Sequence, residues 1–151
     1  MKRPVLLTLA TILAGLAPLS GCSDFADFIG LNVVVIEVYN DTDYDVAPEI
    51  RYDDSTSWLA GIFPSERLTP QVLEPGDFFR YEMDCDELGV IFSDGAEQYD
   101  FAFTIAEVDR TKTLERDDDF DCGDTIQFHF IGHDDSFGVL VSINGRVVDS
   151  E

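Results

Sequence analysis

The fold of this chain is predicted by the stretch LNVVVIEVYN at positions 31–40. Most of its residues are β-branched or aromatic, and such side chains favour a pleated, half-buried strand. Both faces are apolar as far as Ile36, which is typical of an internal strand. The alternation then places Val34, Ile36 and Val38 inward.

Further segments with the same two-residue alternation lie on both sides of clear turn signals. They span residues 46–52, 78–85, 99–105, 125–131 and 137–143. Pro75-Gly76 predicts a turn, Asn144-Gly145 fits a type I′ hairpin, and Pro48 argues for an edge strand. No segment has a convincing helical period. We therefore predict an all-β fold over residues 31–151: a single antiparallel, immunoglobulin-like β-sandwich of about seven or eight strands.

The N-terminal residues have the three parts of a bacterial export signal. Lys2 and Arg3 supply positive charge, an apolar run covers residues 5–16, and Leu19-Ser20-Gly21-Cys22 follows. The apolar run is shorter than the roughly 20 residues that span a bilayer. The last four residues resemble the lipobox of bacterial lipoproteins. The alternatives are an ordinary signal peptide with a chance cysteine, or a buried N-terminal helix.

The resemblance to lipoproteins implies how the chain is processed and where it resides. Residues 1–21 would be a cleaved signal peptide, Cys22 would carry the lipid, and residues 22–30 would be a short tether. Two or more acyl chains anchor a protein stably. Ser23 is not the aspartate that retains enteric lipoproteins at the inner membrane, so the outer membrane or periplasmic face is favoured. The domain behind the tether also resembles immunoglobulin-like lipoproteins without an assigned activity, through the turn at 73–77 and the strand that ends at Cys85.

The chain is strongly acidic, with 9 Lys and Arg, 31 Asp and Glu and a net charge of −22. The signal segment holds Lys2, Arg3 and no acid, so the mature charge is −24. Such a surface repels nucleic acid. The membrane contact is then expected through the N-terminal lipid alone. The 45% hydrophobic content and 12 Phe argue against disorder.

Three cysteines are present, and lipidation of Cys22 leaves Cys85 and Cys122. An even pair in an oxidising compartment most simply forms a disulfide. Two free thiols or a metal pair are the alternatives, although a zinc site usually has four ligands.

Acidic residues flank both of these cysteines. If the disulfide forms, their carboxylates converge and offer the oxygen ligands that Ca²⁺ prefers. The candidate calcium ligands are Asp84, Asp86, Asp117, Asp119, Asp121 and Asp124. The spacing does not match an EF-hand loop, because Cys122 and Phe128 stand where Gly and Glu are required. The alternative is a solvated acidic loop without a cofactor.

Residues that would indicate catalysis are scarce. His129 and His133 are the only histidines and fit surface positions better than a metal site. Common hydrolase, phosphate-loop and zinc-protease motifs are absent, so we predict that the chain is not an enzyme. Trp58, Tyr44 and Tyr52 offer an aromatic platform for a sugar or peptide, or a cap on the core.

The functional prediction is a monomeric, lipid-anchored, non-catalytic binding or structural module of the cell envelope. Its partner would be an envelope protein or polysaccharide. A calcium-dependent adhesion or recognition module is the first alternative. An envelope hydrolase with two carboxylates is the second.

Overall fold

The computed structural model describes residues 32–54, 66–68, 72–133 and 136–150. The predicted signal peptide, Cys22, the tether and Trp58 lie outside these residues. The strands, in chain order, are β1 (Val33–Thr42), β2 (Asp45–Asp53), β3 (Glu66–Arg67), β4 (Phe78–Asp84), β5 (Val90–Asp100), β6 (Phe103–Val108), β7 (Leu114–Glu115), β8 (Thr125–His133), β9 (Ser136–Ile143) and β10 (Arg146–Ser150). A 3₁₀ turn, Cys85–Glu87, follows β4. Two of the ten strands are only two residues long, and the other eight match the predicted count.

The strands form two sheets. Sheet A has the order β10-β9-β8-β1-β4, and sheet B has the order β3-β2-β5-β6 with β7 also pairing with β5. The β1–β8 pair is parallel, whereas the other strand pairs are antiparallel. The all-β sandwich is therefore confirmed. The finer, immunoglobulin-like assignment stays a prediction.

The core lies between the two sheets, as the alternation in β1 predicts. Val34, Ile36 and Val38 are 0% exposed. The neighbouring strands β8 and β9 add fully buried side chains: Ile126, Phe128, Phe130, Val139 and Val141. Full burial of such a side chain contributes about 1.5–3 kcal/mol, so this central layer contributes substantially to the stability of the sandwich.

In the strand order, β2 lies between β3 and β5 rather than at the edge predicted from Pro48. β3 pairs only with Arg51 and Tyr52, so within the described residues no strand pairs with the outer side of β2 at Pro48. The proline is accommodated because the β2–β5 register shifts between Pro48 and Ile50. Proline is tolerated at such a bulge, where the ladder is already interrupted.

The sandwich has two distinct ends. We define the tether end as the end at which β1 begins, next to Asn32; the 3₁₀ turn and the β9–β10 turn lie there, since Val33 pairs with Asp84 and Ile126 with Ile143. The distal end is where β1 stops at Thr42, and Asp45 pairs there with Tyr99. At about 3.3 Å per residue, the ten residues of β1 separate the two ends by roughly 30 Å.

No helix among the described residues combines the length and the apolar character needed to cross a membrane.

Candidate interaction surface at the distal end

An exposed apolar hairpin projects from the distal end. Asp100 of β5 pairs with Phe103 of β6, so Phe101 and Ala102 form a two-residue turn. Phe101 is 96% exposed, Phe103 is 76% exposed and Ile105 is 47% exposed. We call these three residues the distal apolar hairpin.

The turn of this hairpin is unusual for its sequence. Phe101 has φ 56°, a left-handed conformation that is uncommon for residues other than Gly, Asn and Asp. Two-residue hairpin turns normally place Gly or Asn at such positions. Strained backbone of this kind costs about 1–3 kcal/mol and is concentrated at functional sites. Phe101 therefore combines a strained backbone with an almost fully exposed aromatic side chain.

The sequence pattern did not reveal this hairpin. Residues 99–105 alternate as one continuous strand would, and the turn contains no Gly, Pro, Asn or Asp at its centre. The structure divides the segment into the end of β5 and the start of β6, with a register shift between Gln98 and Tyr99. The exposure of these three large apolar side chains can be recognised only when the strand pairing is known.

Carboxylates surround the distal apolar hairpin. Asp100 precedes the turn, and Glu97 of β5 lies directly opposite Glu107 of β6. Like charges in that arrangement destabilise a strand pair. The Tyr99 hydroxyl donates a hydrogen bond to Glu97. The hairpin thus combines an apolar tip with an acidic flank.

The predicted disulfide is present between Cys85 and Cys122, with Cα atoms 5.6 Å apart. It joins the 3₁₀ turn after β4 to the loop before β8, at the tether end. Cys85 is fully buried, and its carbonyl accepts a hydrogen bond from Arg116. Closing a loop of 37 residues restricts the unfolded chain by about 4 kcal/mol in the chain-entropy model.

Two of the six predicted calcium ligands, Asp119 and Asp124, accept hydrogen bonds from groups within the chain. Asp119 accepts hydrogen bonds from Lys112 Nζ at 2.5 Å and from the Glu115 amide at 3.1 Å. Asp124 accepts from the Asp121 amide at 2.8 Å and from Asn144 Nδ2 at 2.6 Å.

The other four predicted ligands, Asp84, Asp86, Asp117 and Asp121, are exposed. Asp84 ends β4 and Asp86 lies in the 3₁₀ turn, while Asp117 lies in the turn after β7. Across the described ranges, no three His, Cys, Asp or Glu side chains are arranged to hold a metal ion. The geometry therefore gives the calcium prediction no support.

A polar network crosses the outer face of sheet A. Glu37 of β1 accepts hydrogen bonds from Gln127 Nε2 at 2.9 Å, the Tyr39 hydroxyl at 2.7 Å and Arg80 at 3.3 Å. These contacts, led by the Gln127 hydrogen bond, lower the pKa of the Glu37 carboxyl below its usual value despite its burial. The hydrogen bond to Glu37 in turn raises the pKa of Tyr39. The network closes with Ser142, which donates to Gln127 Oε1 at 3.0 Å.

His129 belongs to an aromatic stack beside this network. Its ring lies 4.4 Å from that of Tyr39, and Tyr39 stacks on Phe78 at 5.4 Å. His129 Nδ1 lies 2.6 Å from an Asp41 carboxylate oxygen. The stack joins β4, β1 and β8, which indicates a structural role. The side chain of His133 lies outside the described residues.

The predicted aromatic platform does not form between its two described members. Tyr44 lies between β1 and β2 at the distal end, whereas Tyr52 lies near the other end of β2. Tyr52 instead lines a shallow acidic depression at the tether end with Asp53, Asp54, Glu66, Asp86 and Glu87. Its hydroxyl donates to Glu66 at 2.7 Å, which raises the pKa of Tyr52 to about 12.

Comparison of the chain with protein-family models, curated proteins and solved structures found no match.

Proposed function

We propose that this protein is a lipid-anchored, non-catalytic recognition module of a bacterial cell envelope, which contacts an envelope partner through the distal apolar hairpin. The observation that carries the proposal is the position of that hairpin. Phe101 and Phe103 are exposed at the end of the sandwich opposite the point where the N-terminal segment joins β1.

The anchor is supported by the sequence around Cys22. Leu19-Ser20-Gly21-Cys22 follows a basic start and a short apolar run, which is the order of a lipoprotein signal. From Cys22 to Asn32 a fully extended chain reaches at most about 35 Å. The tether end of the sandwich therefore stays near the membrane that holds the lipid.

The contact role is supported by the chemistry of the hairpin. Aromatic side chains are enriched at interfaces because they bury a large area at a low cost in conformational entropy. Phe101 adds backbone strain without any gain from burial within its own domain. A partner that covers the ring would supply the missing burial.

The proposal is tested by photocrosslinking in cells that produce the full chain. One variant carries benzoylphenylalanine in place of Phe101. The control carries it in place of Val147 on β10, which is 55% exposed and lies level with Glu37 in the middle of β1. We expect discrete protein adducts from position 101 and none from position 147, in the membrane fraction. The same chain with Cys22→Ala should leave that fraction. Identical adducts from both positions, or a Cys22→Ala chain that stays membrane-bound, would contradict the proposal.

A further inference from the structure

We propose that the free edge of β6 accepts an extended segment of the partner as an added strand, and that this segment combines apolar residues with lysine or arginine. This inference rests on the proposed function and deepens it. Strand addition uses main-chain hydrogen bonds for affinity and alternate side chains for specificity.

The first observation is that β6 is an edge strand. Sheet B ends with β6 after the order β3-β2-β5. β7 pairs with Val90 and Ile91 of β5 rather than with β6. Among the described residues, no strand pairs with the outer side of β6. Within that part of the chain, β6 is a free edge of sheet B.

The second observation is that the other edges carry more charge than β6 does. β3 is a charged pair of residues, the edge strand β4 carries Arg80, Glu82 and Asp84, and β10 carries Arg146 and Asp149. Charge on an edge is one of the means by which proteins block unwanted strand pairing.

β6 instead reads FTIAEV, with no Pro, Gly or basic residue and a single charge at Glu107. Such a segment has a high β-propensity. Phe101, in the turn that precedes β6, extends the same uncharged stretch. By its composition, this edge opposes strand pairing less than the three more highly charged edges do.

The third observation is the chemistry of the outer face of β6. Val108 packs against the core, whereas Phe103, Ile105 and Glu107 are exposed; Ile105 is the extra residue of β6 between Ala106, opposite Gln98, and Thr104, opposite Tyr99. An added strand would set apolar side chains beside Phe103 and Ile105. Beside Glu107, with Glu97 next to it on β5, a lysine or arginine is favoured.

Charge complementarity also disfavours a second copy of this chain as the source of the strand added to β6. The chain has a net charge of −22, and Lys112 is its only lysine after Lys2. A second copy would bring further carboxylates to an edge that already has Glu97 and Glu107. A basic segment of a different protein is therefore the occupant that the charges favour.

The test titrates the acylated full chain, in detergent micelles, against two fluorescein-labelled ten-residue peptides. In the first, valines alternate with threonines and lysines; in the second, glutamates replace the lysines. We expect saturable binding of the lysine peptide, by fluorescence anisotropy, at least tenfold tighter than that of the glutamate peptide. Ile105→Lys should weaken binding at least tenfold. The matched control Val147→Lys, an apolar-to-lysine change on another edge, should not.

A second measurement uses the wild-type chain alone, so its result does not depend on whether a variant folds. Hydrogen exchange on the wild-type chain should show slower exchange of β6 amides when the lysine peptide is added. Lack of saturation with both peptides, equal weakening by the two lysine variants, or unchanged β6 exchange would each overturn strand addition. A concentration-dependent dimer that Ile105→Lys abolishes would overturn it in favour of a second copy.

The failure of strand addition is distinguishable from failure of the proposed function. If position 101 forms adducts in cells but neither peptide binds, the hairpin makes contact by another mode and strand addition alone is overturned. If position 101 forms no adduct, the proposed function itself is contradicted, whatever the peptides do.

Discussion

The position of Glu37 on the outer face of β1 could be predicted from the sequence, but its hydrogen-bond partners could not. The alternation in β1 correctly puts Val34, Ile36 and Val38 inward, which leaves Glu37 on the outer face. There its side chain is only 12% exposed, because residues from β4 and β8 cover it. Three hydrogen-bond donors from three strands could not be assigned to Glu37 before the strand order was known.

This network predicts a specific dependence of stability on pH. The pKa of Glu37 is lowered in the folded state, so its stabilising effect is fully present above the unfolded value of about 4.3 and is lost as pH falls through the folded value. At pH 7 we expect Glu37→Gln to reduce the free energy of unfolding by about 1–2 kcal/mol, because hydrogen bonds to a charged group are lost.

Urea unfolding of the wild type and Glu37→Gln between pH 7 and pH 3 measures this effect. The difference between the two chains should stay constant down to about pH 5 and narrow below it. The control is Glu82→Gln, which removes the other acid paired with Arg80 at a 62% exposed position and should change stability by less than about 0.5 kcal/mol. A Glu37→Gln difference that stays constant to pH 3 would rule out the lowered pKa as its cause.

At the scale of elements, the strands that bury a uniform alternating face were predictable and the hairpin between β5 and β6 was not. Val34 and Phe128 follow a pattern whose physical cause, burial of every second side chain, is local. Phe101 and Phe103 continue the same pattern but lie outside the core. Which stretch of alternation turns back depends on pairing partners such as Val108 opposite Ala96, and those are set by the whole sheet.

The disulfide could also be predicted from the sequence, whereas the contacts of the acidic loops could not. Cys85 and Cys122 were predictable because two cysteines in an oxidising compartment allow one simple pairing. The calcium site stays a prediction, because metal binding requires a three-dimensional convergence of carboxylates that the sequence does not determine. Asp119 pairs with Lys112, seven residues away, and Asp124 pairs with Asn144, twenty residues away.

The turn conformation of Phe101 makes a testable prediction about the β5–β6 hairpin. Asn tolerates positive φ better than Phe, and the 96% exposed ring has no burial to lose. We expect Phe101→Asn to raise the free energy of unfolding by about 0.5–1 kcal/mol. The measurement is urea unfolding at pH 7.

Phe103→Asn is the matched control for this change. Phe103 is also exposed but lies within β6, where Asn is disfavoured relative to an aromatic residue. We expect this variant to lose up to about 1 kcal/mol. Equal losses from Phe101→Asn and Phe103→Asn would show that the Phe101 ring packs on its own domain, against the proposed role in contact.

At the scale of the whole molecule, the proposal depends on the tether end and the distal end lying at opposite ends of the sandwich. β1 begins beside the disulfide and the acidic turns and ends beside the distal apolar hairpin, roughly 30 Å away by strand length. A lipid on Cys22 would hold the first end near the bilayer. The hairpin would then be presented to partners on the far side of the domain.

The most direct measurement is energy transfer from the domain to acceptor lipids in a bilayer that holds the acylated full chain. A fluorescent amino acid placed at Phe101 or at Val147 serves as the donor. The account predicts weaker transfer from position 101, which should lie about 20 Å farther from the lipids, given the rise per residue of a strand. Equal transfer from both positions, or stronger transfer from position 101, would show that the hairpin faces the membrane and would contradict the account.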